Sequence, residues 1–163
     1  MIEVKTGDIL SVKEGIIVHG CNCQGKMNSG IAKLIRAKWP AVYEAYIKRH
    51  EQSGLQLGDI VAVGHRKTRH VHAESLQIPG QLIVVNAMTQ LNYGRDKNIV
   101  YVDYEAVFLA FAKINVIASN TGLTVHFPLI GCGLGNGDWD AVSLAIQTAM
   151  PKDAPMVLWK LPE

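Results

Sequence analysis

The residue types able to hold or alter a ligand gather in two segments of this 163-residue chain, each following an apolar run. The first reads Val18-His19-Gly20-Cys21-Asn22-Cys23-Gln24-Gly25-Lys26-Met27-Asn28-Ser29-Gly30. The second reads Pro128-Leu129-Ile130-Gly131-Cys132-Gly133-Leu134-Gly135-Asn136-Gly137. Glycine leaves peptide N–H groups bare, and bare amides at a strand end suit phosphate oxygens, with or without a helix N-terminus behind them. Two such loops at neighbouring strand ends would cradle a diphosphate. Turns that merely join strand to helix have the same composition, so the spacing of the glycines has to be examined.

Neither segment carries a standard nucleotide signature. Gly25-Lys26-Met27 lacks the hydroxyl of a P-loop, and glycines at 131, 133, 135 and 137 miss the dinucleotide spacing. Asp138 reads as a helix cap, and a carboxylate there already occupies the positive helix end. A phosphate in the second loop is therefore expected on the amides of residues 131–136.

His19 is the first reactive candidate. An imidazole beside a phosphomonoester can donate a proton to the leaving oxygen or shield negative charge; at a strand end it can equally be a structural hydrogen bonder. Asp96, in the polar loop Gln90-Asn92-Tyr93-Gly94-Arg95-Asp96, reads as an acid or base or as a plain turn residue, and Tyr93 as a lid. Cys21, Cys23 and Cys132 with His19 resemble a metal set only superficially, since C-x-C lacks zinc-knuckle spacing and Cys132 is remote. Buried neutral thiols are expected, and a nucleophilic Cys132 has no visible base. No metal or cofactor is called for.

These segments need a scaffold. Ile16–Val18, Ile60–Val63, Leu82–Val85, Thr124–Phe127 and Met156–Trp159 are apolar without alternation, as in strands covered on both faces. Ile2-Glu3-Val4 alternates and reads as an edge strand. Helical spacing appears over 30–38 and again after Pro40, a residue suited to a first helical position. Asp103 caps a helix through about Ser119 that leaves at Asn120–Gly122, and Asp138 caps a last helix stopped by Pro151. Interleaved strands and helices predict an α/β chain, a three-layer α/β/α sandwich around a central mixed sheet.

Composition agrees. Hydrophobic residues make up 48% and charged residues 18%, and the net charge is +2, which announces neither nucleic acid nor a membrane. The stretch His65–Ser75 is basic and polar, a surface hairpin or loop and at most a weak anion patch. No membrane-length apolar run or signal peptide is visible, so a soluble, cytoplasmic protein is expected, with residues 1–163 as one domain.

Asp8 in Gly7-Asp8-Ile9, the strand and loop IVHGCNCQGKMNSGIA, and PLIGCGLGNGDW together resemble the macro domain, the ADP-ribose-binding α/β/α module. The likeness spans the chain and is nearest the branch of ADP-ribose-1″-phosphate phosphatases and hydrolases of ADP-ribosyl carboxylates. It implies that Asp8 accepts the adenine amino group, with Ile9 beside it, and that Asn22 touches the distal ribose; with His19, and with Asp96 from the polar loop, Asn22 makes the candidate catalytic set. Asn28, Ser29, Gly30 and Ile31 stand where the family has a glycine run, of which one glycine remains. Gly131, Cys132, Gly133, Leu134 and Gly135 match the second diphosphate loop. Trp159 or Leu161 falls where the family places apolar groups near adenine, although Trp159 also suits the core. The phosphatase branch is similar in having histidine at position 19.

The glycohydrolase subgroup uses a lysine near the end of the middle strand and an aspartate in the second loop. Asn86-Ala87-Met88-Thr89-Gln90 offers no lysine, and Gly135 replaces the aspartate. The resemblance thus implies release of phosphate from ADP-ribose 1″-phosphate. The alternatives are a non-catalytic binder of free or protein-linked ADP-ribose and a hydrolase of ADP-ribosyl-carboxylate esters. ADP-ribosylated protein is a further partner; nucleic acid and membrane are not expected.

Overall fold

A computed structural model of the chain describes residues 2–64 and 81–163. The basic stretch 65–75 lies outside them. The apolar runs become strands because both their faces are covered. Strands β1 (Ile2–Thr6), β2 (Gly15–Asn22), β3 (Ile60–Val63), β4 (Leu82–Gln90), β5 (Val125–Phe127) and β6 (Met156–Lys160) form one sheet of order β1-β6-β5-β2-β4-β3. All neighbours are parallel except β3, which runs antiparallel to β4. The sheet is mixed, as expected.

Period-two alternation divides the core between two layers. Ile16, Val18, Ile83, Val85 and Phe127 pack against the layer of α3 (Tyr104–Thr121) and α4 (Trp139–Ala149), where Phe111, Ile114 and Ile146 are fully buried. Ile17 and Val84 face the other way, toward α1 (Gly30–Lys38) and α2 (Pro40–Ser53), and meet Ile35 and Val42. The result is an α/β/α sandwich.

The helix signals of the sequence hold in detail. Asp103 accepts from the Ala106 amide and Asp138 from the Asp140 amide, capping α3 and α4. Pro40 opens α2, and Gly122 closes α3 with φ of 71°, a left-handed conformation that glycine adopts without strain. Strand β1 is an edge, yet only Ile2 is half-buried, so its alternation does not translate into a buried face. Among the described residues no helix is long and apolar enough to cross a membrane.

The loops after β2, β4 and β5 emerge at the same end of the sheet because these strands are parallel and adjacent. In an open α/β sheet this is where ligands settle.

Candidate functional site

Those three loops enclose a cavity of about 470 Å³, within the size range of small-molecule sites. Asn22, Asn28, Ser29, Gly30 and Ile31 form one wall. Gly131, Gly133, Leu134 and Gly135 line it from the loop after β5, and Gln90, Tyr93, Gly94 and Arg95 from the end of β4 and the loop after it.

The second loop sorts its amides between itself and the cavity. Cys132 donates its N–H to Leu129 O at 3.2 Å, Asn136 to Gly133 O at 3.1 Å and Gly137 to Gly131 O at 2.7 Å. The N–H groups of Gly131, Gly133, Leu134 and Gly135 have no acceptor among the described residues, and these four residues line the cavity together with Pro128, Leu129 and Ile130. Unpaired amides beside a cleft call for an acceptor from outside the chain. Within positions 131–136 the unpaired amides are these four.

The first loop supplies the matching half. The N-terminus of α1 is uncapped: the Ser29 side chain makes no cap hydrogen bond, and the first turn holds no acidic residue. Gly30, Ile31 and Ala32 line the cavity, and the first backbone bond of the turn is Lys33 N–H to Ser29 O. The positive end of α1 therefore opens on the cavity, whereas Asp103 and Asp138 neutralise those of α3 and α4.

Asn22 holds this loop in shape. Its Oδ1 accepts from the Gln24 amide at 3.0 Å and the Lys26 amide at 3.3 Å and lies 3.0 Å from the Tyr46 hydroxyl, while Nδ2 donates to Lys26 O at 2.8 Å. One N–H of Nδ2 remains for a ligand. The Tyr46 hydroxyl also donates to Asn22 O at 2.6 Å, and burial pushes its pKa up. Asn22 is thus first an organiser of the loop, and the catalytic role expected of it has no titratable chemistry behind it.

His19 requires a correction. It lies on β2 between Val18 and Gly20, and alternation turns its ring away from the α3 side into the layer under α2. The ring is fully buried and does not line the cavity. Nε2–H donates to Asn86 Oδ1 at 2.6 Å, and Asn86 Nδ2 passes the chain on to Val42 O at 3.1 Å. Burial drives the imidazole pKa down to about 4, only partly offset by the bond to Asn86. A ring so placed cannot reach a substrate phosphate or carry charge near neutral pH.

Other expected residues also fall outside the cavity wall. Asp96 is exposed, its Oδ1 accepting from the Asn98 amide at 2.9 Å. Asp8 caps a short 3-10 turn through Oδ1, with no partner for Oδ2 among the described residues, Ile9 is core, and Leu161 is exposed. Trp159 packs on the α1–α2 side and donates Nε1–H to His126 Nδ1 at 2.9 Å, which makes it a structural aromatic. Cys132 packs against the core and donates Sγ–H to Ile130 O at 3.4 Å; burial, with Asp138, raises its pKa. Cys21 does line the cavity, but burial raises its thiol far above the thiolate range. Among the described residues no group of three His, Cys, Asp or Glu side chains is placed to hold a metal ion.

The sequence reading missed four contributors. Lys26 and Arg95 line the cavity, and so does Gln90, which ends β4 where the glycohydrolase lysine was sought. A lysine is therefore present in the wall, from the β2 loop rather than from β4. The fourth is Asn136, whose Nδ2 donates to Asp96 O at 2.9 Å and Ile99 O at 2.7 Å, tying the glycine loop to the segment that carries Arg95. Its φ of 57° marks the loop, since a non-glycine residue in that region is uncommon.

Residues 18–146 match the family model of the macro domain. The chain belongs to the macro domain family. It is similar to the DNA ADP-ribosyl glycohydrolase of Mycobacterium tuberculosis, 26% identical over 149 residues, which cover 91% of this chain and 38% of that protein. This chain thus spans little more than a third of the length of that relative. It is also similar to an ADP-ribose 1″-phosphate phosphatase of Meyerozyma guilliermondii, 25% identical and covering 86% of this macro domain and 89% of the yeast protein. Among solved structures, Thermosipho africanus DarTG in complex with ADP-ribose shares the fold, with a TM-score of 0.71 and 19% identity. That likeness covers 98% of this chain and 42% of the other. Macro-domain relatives thus include hydrolases of ADP-ribose derivatives.

Proposed function

We propose that the cavity binds the ADP-ribose part of its ligand and that the chain releases inorganic phosphate from ADP-ribose 1″-phosphate. The observation that carries the reading is the pairing across one cavity of four unpaired amides with the uncapped N-terminus of α1. A diphosphate between them would accept from both. Asp8 Oδ2, beyond β1, has no partner among the described residues and would accept an exocyclic amine.

In the proposed reaction water attacks the terminal phosphorus, the bond from phosphorus to O1″ breaks, and the water proton ends on the departing ADP-ribose oxygen. Such displacements ask mainly for positioning and for neutralisation of charge on the phosphoryl oxygens. The amides of the two loops would fix the diphosphate, Asn22 would hold the β2 loop, and the spare Asn22 N–H would orient the distal ribose. His19 has no part in this.

A second reading, binding of free or protein-linked ADP-ribose without turnover, has its own support. Among the described residues no carboxylate or imidazole lines the cavity to serve as a general acid or base. Calorimetry with ADP-ribose, run beside a phosphate-release assay on ADP-ribose 1″-phosphate, separates the two. Affinity with turnover supports the phosphatase, and affinity without turnover supports the binder. Absence of affinity for both ligands removes both readings.

A further inference from the structure

Lys26 and Arg95 reach the same cavity from different loops, the first after β2 and the second after β4. Neither the Lys26 ammonium nor the Arg95 guanidinium has an ion-pair or hydrogen-bond partner among the described residues. Among the described residues no Asp or Glu side chain lines the cavity to offset them. Asp96, next to Arg95 in the chain, turns its carboxylate back to the Asn98 amide. Two uncompensated cations facing one space repel each other, and a dianion placed between them relieves that repulsion.

The order of the strands says where along a ligand this pair acts. Asp8 follows β1, the free amides follow β5, the uncapped helix follows β2, and Arg95 follows β4. From β1 to β4 is four strand spacings, about 19 Å at the usual separation. The amides already serve the diphosphate from the middle of that span. Lys26 and Arg95 stand at or beyond its β2 end, away from Asp8, where the distal end of an extended ADP-ribose would lie. Arg95 is set by an ordered frame: the Asp96 amide donates to the Tyr101 hydroxyl at 3.3 Å, and Asn136 holds Asp96 O.

We infer that Lys26 and Arg95 form a terminal subsite for a phosphomonoester on the distal ribose, and that this pair sets the preference for phosphorylated over plain ADP-ribose. The guanidinium offers a two-toothed fork to phosphate oxygens and the ammonium a point charge. The assignment rests on the proposed orientation of ADP-ribose in the cavity.

The test is the ratio of two affinities, measured by calorimetry at low and at physiological salt. Wild-type protein is expected to bind ADP-ribose 1″-phosphate at least tenfold more tightly than ADP-ribose, with the ratio shrinking as salt rises. The double variant Lys26→Gln/Arg95→Gln should bring the ratio to within about threefold of unity, whereas Lys26→Arg/Arg95→Lys should retain most of it. Both positions are exposed, so melting curves should certify the fold of each variant. A wild-type ratio near one, or a ratio that survives in the double variant, overturns the subsite and leaves the ADP-ribose reading standing. Failure of wild-type protein to bind either ligand overturns that reading, and the subsite with it.

Discussion

His19 and Asn86 face each other in register on β2 and β4, joined by a hydrogen bond of 2.6 Å from imidazole Nε2–H to amide oxygen. The pair lies in the sheet interior and locks the ring as a neutral donor. Its consequence is a stability that depends on pH. The folded pKa is near 4, below the ordinary histidine value of 6.5. Between those values the unfolded chain binds a proton that the folded chain does not. Stability from this group is therefore complete above about pH 6.5 and declines as pH falls toward 4, by on the order of 3 kcal/mol. His19→Asn should flatten that part of a urea-denaturation pH profile. It should also keep ADP-ribose affinity within a fewfold of wild type, since the ring does not touch the cavity. A profile of equal slope in both proteins would show that His19 does not carry the dependence.

The uncapped start of α1 makes a prediction with two signs. An aspartate at Ser29 would supply the missing cap, adding about 0.5–1 kcal/mol to the helix. The same carboxylate would stand against the diphosphate and cost at least tenfold in affinity for ADP-ribose. Thermal melting and calorimetry on Ser29→Asp should thus move in opposite directions. If affinity is unchanged in a stabilised variant, the α1 terminus does not hold phosphate.

Much of this arrangement is legible in the sequence, and the remainder fails for identifiable reasons. Asp103, Asp138, Pro40 and Gly122 mark helix ends because capping and proline chemistry are local. The two glycine loops were visible for the same reason. Which amides stay free was not, because that depends on the carbonyls of Leu129, Gly131 and Gly133, whose positions only the folded loop defines. His19 was misread because a strand places successive side chains on opposite faces, and a glycine at position 20 gives no sign of which face opens on the cavity. The signal that could have corrected it was Asn86, a second polar residue inside an apolar run. Its pairing with His19 requires the register of β2 on β4. Lys26 and Arg95 look like ordinary surface cations until the loops after β2 and β4 are brought to one cavity.

Tyr46 carries a prediction about loop shape. Its hydroxyl donates to Asn22 O at 2.6 Å and lies 3.0 Å from Asn22 Oδ1. Tyr46→Phe removes the donor and leaves a buried carbonyl short of a partner, a cost of about 1–3 kcal/mol. The β2 loop should loosen and ADP-ribose affinity should fall together with stability. Amide exchange at residues 23–26 provides the local readout. Protection equal to wild type there would mean that Asn22 keeps the loop without help from the hydroxyl.

Gly131 lines the cavity in a backbone conformation that favours glycine. Its φ of 74° is one that side chains rarely adopt, and a Cβ there would fall on the Val102 side chain. Its carbonyl accepts from the Gly137 amide at 2.7 Å, so any shift travels to the end of the loop. Gly131→Ala should therefore destabilise the protein by roughly 2 kcal/mol or more through strain and overpacking. It should also abolish measurable ADP-ribose binding at ligand concentrations that saturate wild type. Gly133→Ala is the matched control, because nothing lies within 4 Å of a Cβ at that site. That variant should fold normally and lose far less affinity. If the two variants bind alike, the amides of this loop are not what grips the ligand, and the cradle across the cavity loses one of its two walls.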